Sequence, residues 1–399
     1  MEIEEAIGLI TANAQPIKDV LTVSLDEAYG HVLAEDLTAS VNVPAFPRSA
    51  MDGYAVRSGD ITDATTDRPV RLKVTGKVIA GQCADIKCEA GTAVRIMTGA
   101  MIPDGYDAVV MQEDTDLGQD LVSIYKSVGR YVNYCHEGEE IKKGNTALTS
   151  GTLIGMIETG LIASLGKDRV SVRRPIKVSI ISTGSELTRP GNSLPKGCIY
   201  GNIRYMLASA IKGAGFEVAY SDDCPDDREI IIDRISQTTE SDVIITTGGV
   251  SVGEKDLIAG VLSDIGAKVL FSRASIQPGT PTMASIYDGK IILSLSGNPY
   301  AALACFDLYF PPLAAALMGC GRLDTKAATA VLCDPYEKVN GLRRLVRAYE
   351  ENGKVYLPAD KHMSSVFGNM SLCNCYIDVP ANTRLSVGDS VCIRRMRYR

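Results

Sequence analysis

Acidic side chains lie where predicted strands end, and they suit metal-assisted chemistry on a phosphorylated substrate. Glu186 follows a mostly apolar run, and Asp256 closes a glycine-rich segment that follows another such run. Asp222 and Asp223 come after the predicted strand Phe216–Tyr220. Carboxylates in this arrangement are suited to Mg²⁺ and its waters. The alternatives are that Glu186 is a surface residue and that the aspartates form a solvated loop and helix cap.

Two small-residue turns between a strand and a helix are candidates for holding an anion or nucleotide. The segment Thr247-Gly248-Gly249-Val250-Ser251 follows a buried strand, and Ser296-Gly297-Asn298-Pro299 follows another. Small residues let backbone amides approach a bound anion, and the N-terminus of the following helix adds positive potential. The alternative is a plain glycine-rich connection in the first case and a helix cap with proline in the second.

Asp52 lies in the proline-flanked stretch Pro44–Val56, which is the most unusual part of the sequence. Two prolines stiffen the approach and Gly53 permits a turn, so that the carboxylate can be presented to a metal or a water. A simple turn cap is the alternative. Guanidinium groups match tetrahedral oxyanions, which makes three arginines candidate oxyanion ligands or, equally, surface charges: Arg273, Arg343 and Arg344.

The elements that would position these residues alternate between strand and helix from Ile176 to Met318. Apolar β-runs occupy 176–182, 216–220, 242–246 and 268–272, helical spacing occupies 203–214, 228–237 and 257–265, and 282–295 has the pattern of a hairpin. Such alternation predicts a doubly wound, mostly parallel sheet with helices on both faces. Sites in these folds lie beyond the carboxyl ends of the strands, where the glycine-rich and acidic loops fall.

The flanking segments predict a different architecture, rich in short β-patterns and turns, with a hairpin signal at Asn352-Gly353. Ile3–Val20 and Thr152–Leu165 are predicted as helices. We therefore predict an α/β protein with all-β modules: a discontinuous helical linking domain at 1–41 and 145–175, an inserted β-rich domain at 42–144, the α/β domain at 176–319 and a C-terminal β-barrel-like domain at 320–399.

Composition argues against several classes of protein. The net charge is −7 and no long basic block occurs, so we expect no nucleic-acid partner. The start of the chain has neither a signal nor a transit pattern, which predicts a cytoplasmic protein. Asp307 and the pair Pro311-Pro312 interrupt the apolar stretch Ala301–Met318, which favours a kinked buried helix over a membrane span. Eleven cysteines without a Cys-x-x-Cys, and three separated histidines, argue against structural zinc.

Taken together, the spaced motifs resemble the molybdenum insertases, the family of bacterial MoeA and the E domain of gephyrin. The resemblance covers nearly the whole chain, and the motifs occur in the family's order: Ser49–Val56, Thr98-Gly99-Ala100 with Pro103-Asp104-Gly105, Thr183–Leu187, Asp242–Asp256, Gln277–Pro281 and Leu295–Pro299. It implies an elongated homodimer whose active site lies between one subunit's α/β domain and the partner's β-rich modules.

The resemblance also implies a reaction and a set of site residues. Adenylyl-molybdopterin and molybdate would give molybdenum cofactor and AMP with the help of Mg²⁺. It implies catalytic roles for Asp52, Glu186 and Asp256, and support of the metal by Glu186, Asp256, Asp222 and Asp223. The substrate-binding residues implied are Thr98, Thr247, Gly248, Gly249, Ser251, Arg273, Pro278, Gly279, Ser296, Gly297, Asn298 and Arg343. The pterin adenylyltransferase and molybdoenzyme apoproteins are further implied partners.

Several segments depart from the family pattern: Ser185 and Ser296 each replace a family residue, the tail segment Lys361–Asn369 differs, and the loop 277–281 differs most. Family members carry Lys-Pro-Gly-Lys-Pro where this chain has Gln277-Pro278-Gly279-Thr280-Pro281, so that two cations are missing. Two other hypotheses therefore stand beside the insertase: a catalytically altered paralogue that binds or stores pterin or cofactor, and one that uses another oxyanion such as tungstate.

Overall fold

The linking part of the chain contains two helices and two short antiparallel strand pairs. A computed structural model describes residues 1–83, 85–250, 257–358 and 366–396. Helix α1 (Ile3–Ala12) is followed by strands β1 (Val20–Ser24) and β2 (Leu37–Thr38), so the predicted helix up to Val20 is too long. Pro16 explains its early end, because proline disfavours helical backbone in the residue before it. The inserted segment follows β1 and β2 and precedes the strands with which they pair.

Strands of the inserted segment form a five-stranded sheet and one short pair. The sheet has the order β7 (Ala108–Met111), β4 (Gly53–Val56), β6 (Thr92–Ile96), β5 (Val70–Val78), β8 (Leu121–Ile124), and the pair joins β3 (Arg48–Ser49) to β9 (Tyr134–Cys135). After it, β10 (Thr146–Leu148) returns to β2, helix α2 (Met156–Ser164) follows, and β11 (Arg169–Arg173) pairs with β1. The predicted helix at Thr152–Leu165 begins only at Met156, where the Glu158 carboxylate accepts a hydrogen bond from the Gly155 amide.

The α/β domain has the predicted six strands in one sheet, four of them parallel. The order is β15 (Glu217–Cys224), β12 (Lys177–Thr183), β16 (Val243–Thr247), β20 (Lys290–Leu295), β19 (Met283–Tyr287), β17 (Lys268–Phe271), with the last three joined antiparallel. Helices α3 (Ile203–Gly213) and α6 (Pro299–Met318) pack in the core on one face, and α4 (Arg228–Ser236) and α5 (Leu257–Asp264) in the core on the other. Two small strands, β13 (Leu187–Thr188) and β14 (Ile199–Tyr200), pair beyond β12.

Helix α6 is the long buried helix that the sequence predicts. It is long and apolar enough to cross a membrane by length and composition alone, but most of that stretch is buried inside the protein. The Asn298 side chain accepts a hydrogen bond from the Ala301 amide, with Pro299 at the first helical position, and the helix continues through Pro311 and Pro312. Its apolar surface packs against α1 and α3.

The C-terminal strands close into a five-stranded barrel, as the fold prediction expected. Strands β22 (Arg343–Glu351), β23 (Lys354–Tyr356), β21 (Ala327–Leu332), β25 (Ser390–Arg395) and β24 (Cys375–Val379) pair in this order, and β24 returns to β22. Closure removes the free sheet edges. Strand β18 (Ile276–Gln277) leaves the α/β domain and pairs in parallel with β22, which ties the barrel to the α/β domain.

Candidate functional site

A cavity of about 1080 Å³ lies at the carboxyl edge of the α/β sheet. The ends of β12 and β16, the loop that follows β20 and the first residue of α6 line it, as the rule for doubly wound sheets predicts. Six predicted site residues meet there: Glu186, Thr247, Gly248, Gly249, Ser296 and Gly297. The sequence therefore located this edge correctly.

Glycine is required where the loops of this cavity touch. Gly248 has φ +91°, and a Cβ there would lie 2.3 Å from the Thr183 carbonyl oxygen. A Cβ on Gly297 would lie 3.3 Å from the Gly248 Cα, so the loops after β16 and β20 also touch. The Thr183 hydroxyl is buried beside them and has no hydrogen-bond partner in the described part of the chain. A polar donor and closely packed backbone thus face the cavity together.

Two carboxylates on neighbouring strand-end loops face the cavity. Glu186 is exposed and folds back over Gly184, where a Cβ would lie 2.9 Å from both carboxylate oxygens. Asp226 follows β15 and accepts a hydrogen bond from the Ser185 amide (3.2 Å), while the Ser185 hydroxyl accepts one from the Asp226 amide (3.2 Å). These reciprocal bonds hold the two loops side by side. Among the described lining residues, Arg228 carries the only positive charge, and it is paired with Asp264.

Asp222 and Asp223 are placed differently from their prediction. Both lie within β15, which continues to Cys224, and neither lines the cavity. Asp223 accepts a 2.5 Å hydrogen bond from Arg204, and Asp222 lies 3.2 Å from the Arg234 guanidinium. Their charges are thus compensated by arginines, and Asp226 is the carboxylate that follows the true end of the strand. The expectation that a carboxylate follows the end of this strand was correct, but the strand was predicted to end at Tyr220 and in fact ends at Cys224.

Asp256 and Ser251, predicted as catalytic and substrate-binding residues, lie outside the described residues. Within the described ranges, no group of three or more His, Cys, Asp or Glu side chains gathers as a metal site. A cation held by Glu186 and Asp226 would therefore need further ligands from a substrate or from water.

Several other predicted substrate ligands are not among the residues that line the cavity. Asn298 caps α6, and Gly279 (φ +101°) packs so tightly on helix α6 that a Cβ would lie 2.1 Å from the Cys305 sulfur. Pro278 is buried beside it, and Arg273 is exposed after β17. From this loop, the residue that does line the cavity is Pro281.

Arg343 is predicted to bind substrate, but its guanidinium donates hydrogen bonds to carboxylates of the protein. Nε and Nη2 each donate a 2.6 Å hydrogen bond to Asp378, and Nη1 donates to Glu4 at 2.8 Å. Hydrogen bonds from Arg343 and Arg394 hold the pKa of Asp378 below its ordinary value although burial acts to raise it. This arginine joins α1 to the barrel, and three of its guanidinium nitrogens already donate to protein carboxylates.

Asp52 and Thr98 are two further predicted site residues, and both lie in the inserted β-rich segment. They contact each other, but neither lines the cavity of the same chain. The Asp52 carboxylate accepts hydrogen bonds from the Thr98 amide and from its hydroxyl, both 2.7 Å. These two bonds lower the pKa of Asp52, with a smaller contribution from the positive charge of Arg95. The side chain is therefore an ionised, oriented carboxylate at neutral pH.

Three family profiles match successive parts of the chain. Residues 1–166 match the MoeA N-terminal region (domain I and II), residues 179–315 match a probable molybdopterin binding domain, and residues 329–394 match the MoeA C-terminal region (domain IV).

Individual proteins give the same result. A molybdopterin molybdenumtransferase of Staphylococcus epidermidis is 34% identical over 388 residues, covering 96% of this chain and 92% of that relative. One from Staphylococcus aureus is 33% identical over 386 residues, with 96% and 92% covered. The crystal structure of a molybdopterin biosynthesis MoeA protein from Pyrococcus horikoshii OT3 superposes with a TM-score of 0.86 at 29% identity, covering 99% of each chain.

Proposed function

The chain belongs to the MoeA family of molybdopterin molybdenumtransferases, and we propose that it places molybdate on adenylyl-molybdopterin and releases AMP during biosynthesis of molybdenum cofactor. The observation that supports this most is the cavity at the carboxyl edge of the sheet, where glycine loops and two carboxylates meet. Its volume of about 1080 Å³ is sufficient for a nucleotide-sized ligand. Cleaving a phosphoanhydride requires positioning and neutralisation of charge more than it requires a nucleophilic side chain.

In this proposal the glycine loops hold the phosphate-bearing part of the substrate. The close approach of Gly248, Gly249 and Gly297 lets ligand atoms reach the backbone, which bulkier residues would prevent. The buried Thr183 hydroxyl supplies a donor that has no partner in the described part of the protein. The N-terminus of α6 contributes positive potential at the same edge.

Glu186 and Asp226 fit a role in holding Mg²⁺. Hard oxygen ligands on two adjacent loops, open to a cavity, match the preference of this ion for a few carboxylates together with substrate phosphates and water. When bound, Mg²⁺ would neutralise charge on the anhydride oxygens. Since the cavity's one described cation, Arg228, is already paired with Asp264, the chain's own residues there supply little positive charge.

We further propose that the active protein is a homodimer and that Asp52 acts across its interface. Asp52 is ionised and oriented by Thr98, yet it does not line the cavity of its own chain. A second subunit would supply the position from which such a carboxylate reaches a substrate. A cytoplasmic location is consistent with this role and is part of the proposal.

The direct test is to incubate the pure protein with adenylyl-molybdopterin, Mg²⁺ and molybdate and to follow AMP release. We expect Glu186→Gln to lower AMP release at limiting Mg²⁺ at least about tenfold, with little change in stability because the side chain is exposed. Glu240→Gln is the matched control: this exposed carboxylate pairs with Lys177 at the opposite end of β12. No AMP release by the unaltered protein refutes the proposal, and replacing molybdate with tungstate tests the alternative oxyanion.

A further inference from the structure

Arg228 is the one cation among the described residues that line the cavity at the carboxyl edge of the α/β sheet. It is the first residue of α4 and follows Asp226, a carboxylate of the same cavity, by two positions. Its side chain is about half exposed. The other described lining residues are neutral or acidic, so Arg228 is the positive side chain that an anionic ligand meets there.

The guanidinium of Arg228 is only partly used by the protein. Nε donates a hydrogen bond to Asp264, and Nη2 donates a long one, 3.4 Å, to the Gly260 carbonyl oxygen in the same helix α5. Nη1 packs against Gly260, where a Cβ would lie 3.7 Å from it, and it has no acceptor among the described residues. Donors of this side chain therefore remain for a ligand.

The ion pair between Arg228 and Asp264 opposes the dipoles of both helices. The N-terminus of a helix favours carboxylates and the C-terminus favours cations. Here the arginine is the first residue of α4 and the aspartate is the last residue of α5. Pairing compensates these two unfavourable placements, but an exposed ion pair contributes little to stability. Helix stability thus gives no reason for an arginine at this position, whereas its place in the cavity does.

We propose that Arg228 binds the phosphate group of the adenylate, and that Asp264 holds the guanidinium at the cavity until this ligand replaces it. The planar fork of a guanidinium matches two oxygens of a phosphate. A charged phosphate can displace Asp264 because the exposed pair is weak. That the phosphate belongs to an adenylate rests on the proposed function, whereas the phosphate site rests on Arg228 and its surroundings.

The test is isothermal titration calorimetry of the full chain with AMP and with adenosine, which lacks the phosphate. We expect Arg228→Gln to weaken AMP binding about tenfold, the loss of about one charge-assisted hydrogen bond, and Arg228→Lys to weaken it less. Adenosine affinity should stay unchanged, which also shows that the cavity is intact. Arg395→Gln is the matched control, because Arg395 is an exposed barrel arginine paired with Glu350.

Two outcomes of this titration overturn the proposal. If Arg228→Gln binds AMP as tightly as the unaltered protein, the arginine does not contact the phosphate. If it loses the same factor of affinity for AMP and for adenosine, Arg228 supports the shape of the cavity and not the phosphate.

Asp264 provides a test of opposite sign. Asp264→Asn removes the carboxylate that competes with the phosphate for the guanidinium, so AMP should bind more tightly, by about two- to fivefold for an exposed pair. If the pair served only to join α4 to α5, loss of either partner would change AMP binding in the same direction. Weaker AMP binding in Asp264→Asn therefore overturns the proposal.

Further arms separate the ligand from the reaction. If Arg228→Gln weakens binding of molybdate and leaves AMP binding unchanged, the assignment of a nucleotide phosphate is overturned. If AMP binding depends on Arg228 but the unaltered protein releases no AMP from adenylyl-molybdopterin, the proposed function fails and the phosphate site stands. If Arg228→Gln releases AMP with the same dependence on substrate concentration, the site fails and the function stands.

Discussion

Replacing Gly248 by alanine should destabilise the α/β domain through two separable effects. Gly248 has φ +91°, and a non-glycine residue in this region costs about 1–3 kcal/mol. The added Cβ would also lie 2.3 Å from the Thr183 carbonyl oxygen, a backbone atom that cannot rotate away. Displacing it is an overpacking change worth about 1–3 kcal/mol more. We therefore expect Gly248→Ala to cost roughly 2–6 kcal/mol in free energy of unfolding.

Gly266 is the matched control for the strain alone. It has φ +71°, and a Cβ there would meet nothing within 4 Å. Gly266→Ala should therefore cost only about 1 kcal/mol, reduced by the lower entropy of its unfolded chain. Urea unfolding followed by circular dichroism gives both free energies, and AMP release should fall in Gly248→Ala but persist in Gly266→Ala. If the two variants lose the same stability, the close contact of Gly248 with Thr183 is wrong.

Three further predictions concern charge and assembly. Burial raises the pKa of Asp307 to about 7, so its ionisation opposes folding increasingly as pH rises from about 4 and fully above 7. Each pKa unit is worth about 1.4 kcal/mol, and partial solvation of the residue reduces this effect. Asp307→Asn should therefore raise the melting temperature by several degrees at pH 8 but not at pH 4. Equal gains in melting temperature at both pH values would refute this. Asp52→Asn should lower AMP release at least about tenfold and Thr98→Val less, with melting temperatures unchanged; full activity of Asp52→Asn excludes it from catalysis. Light scattering at micromolar concentration should give the mass of a dimer, and a monomer contradicts the shared site.

The positions of the strand-end loops could be predicted because periodicity records burial directly. Buried parallel strands appear as continuous apolar runs, and the loops that follow them must gather at one edge. Glu186, Gly248 and Gly297 therefore lie together at this edge of the sheet, as the prediction placed them. β15 differs because it lies at the edge of the sheet, with most of its residues half-buried. Polar residues such as Asp222 are tolerated there, so polarity does not mark the end of the strand, and Asp226 was missed.

The predicted limits of the two N-terminal helices were also too wide, for a related reason. Apolar spacing at Ile3, Ala6 and Ile10 continues into residues that pair as β1, and periodicity alone does not separate a helix end from a following strand. The partner of β1 is β11, about 150 residues later in the chain. Pro16 is the local signal for the end of the helix, whereas the tertiary pairing of β1 with β11, which leaves no local signal, decides where the strand begins.

Arg343 and Arg344 show most clearly what the sequence does not contain. They are the same residue type and adjacent in the sequence. No local pattern therefore distinguishes the arginine that is paired with carboxylates from the one whose buried nitrogens have no hydrogen-bond partner in the described part of the chain. Alternation along β22 sends their side chains to opposite sides of the strand. On one side Asp378 and Glu4 arrive from β24 and α1 and saturate Arg343, whereas on the other the neighbour is the neutral Gln277. The sequence therefore named both arginines as candidates, and only the fold shows that Arg343 is engaged by Asp378 and Glu4.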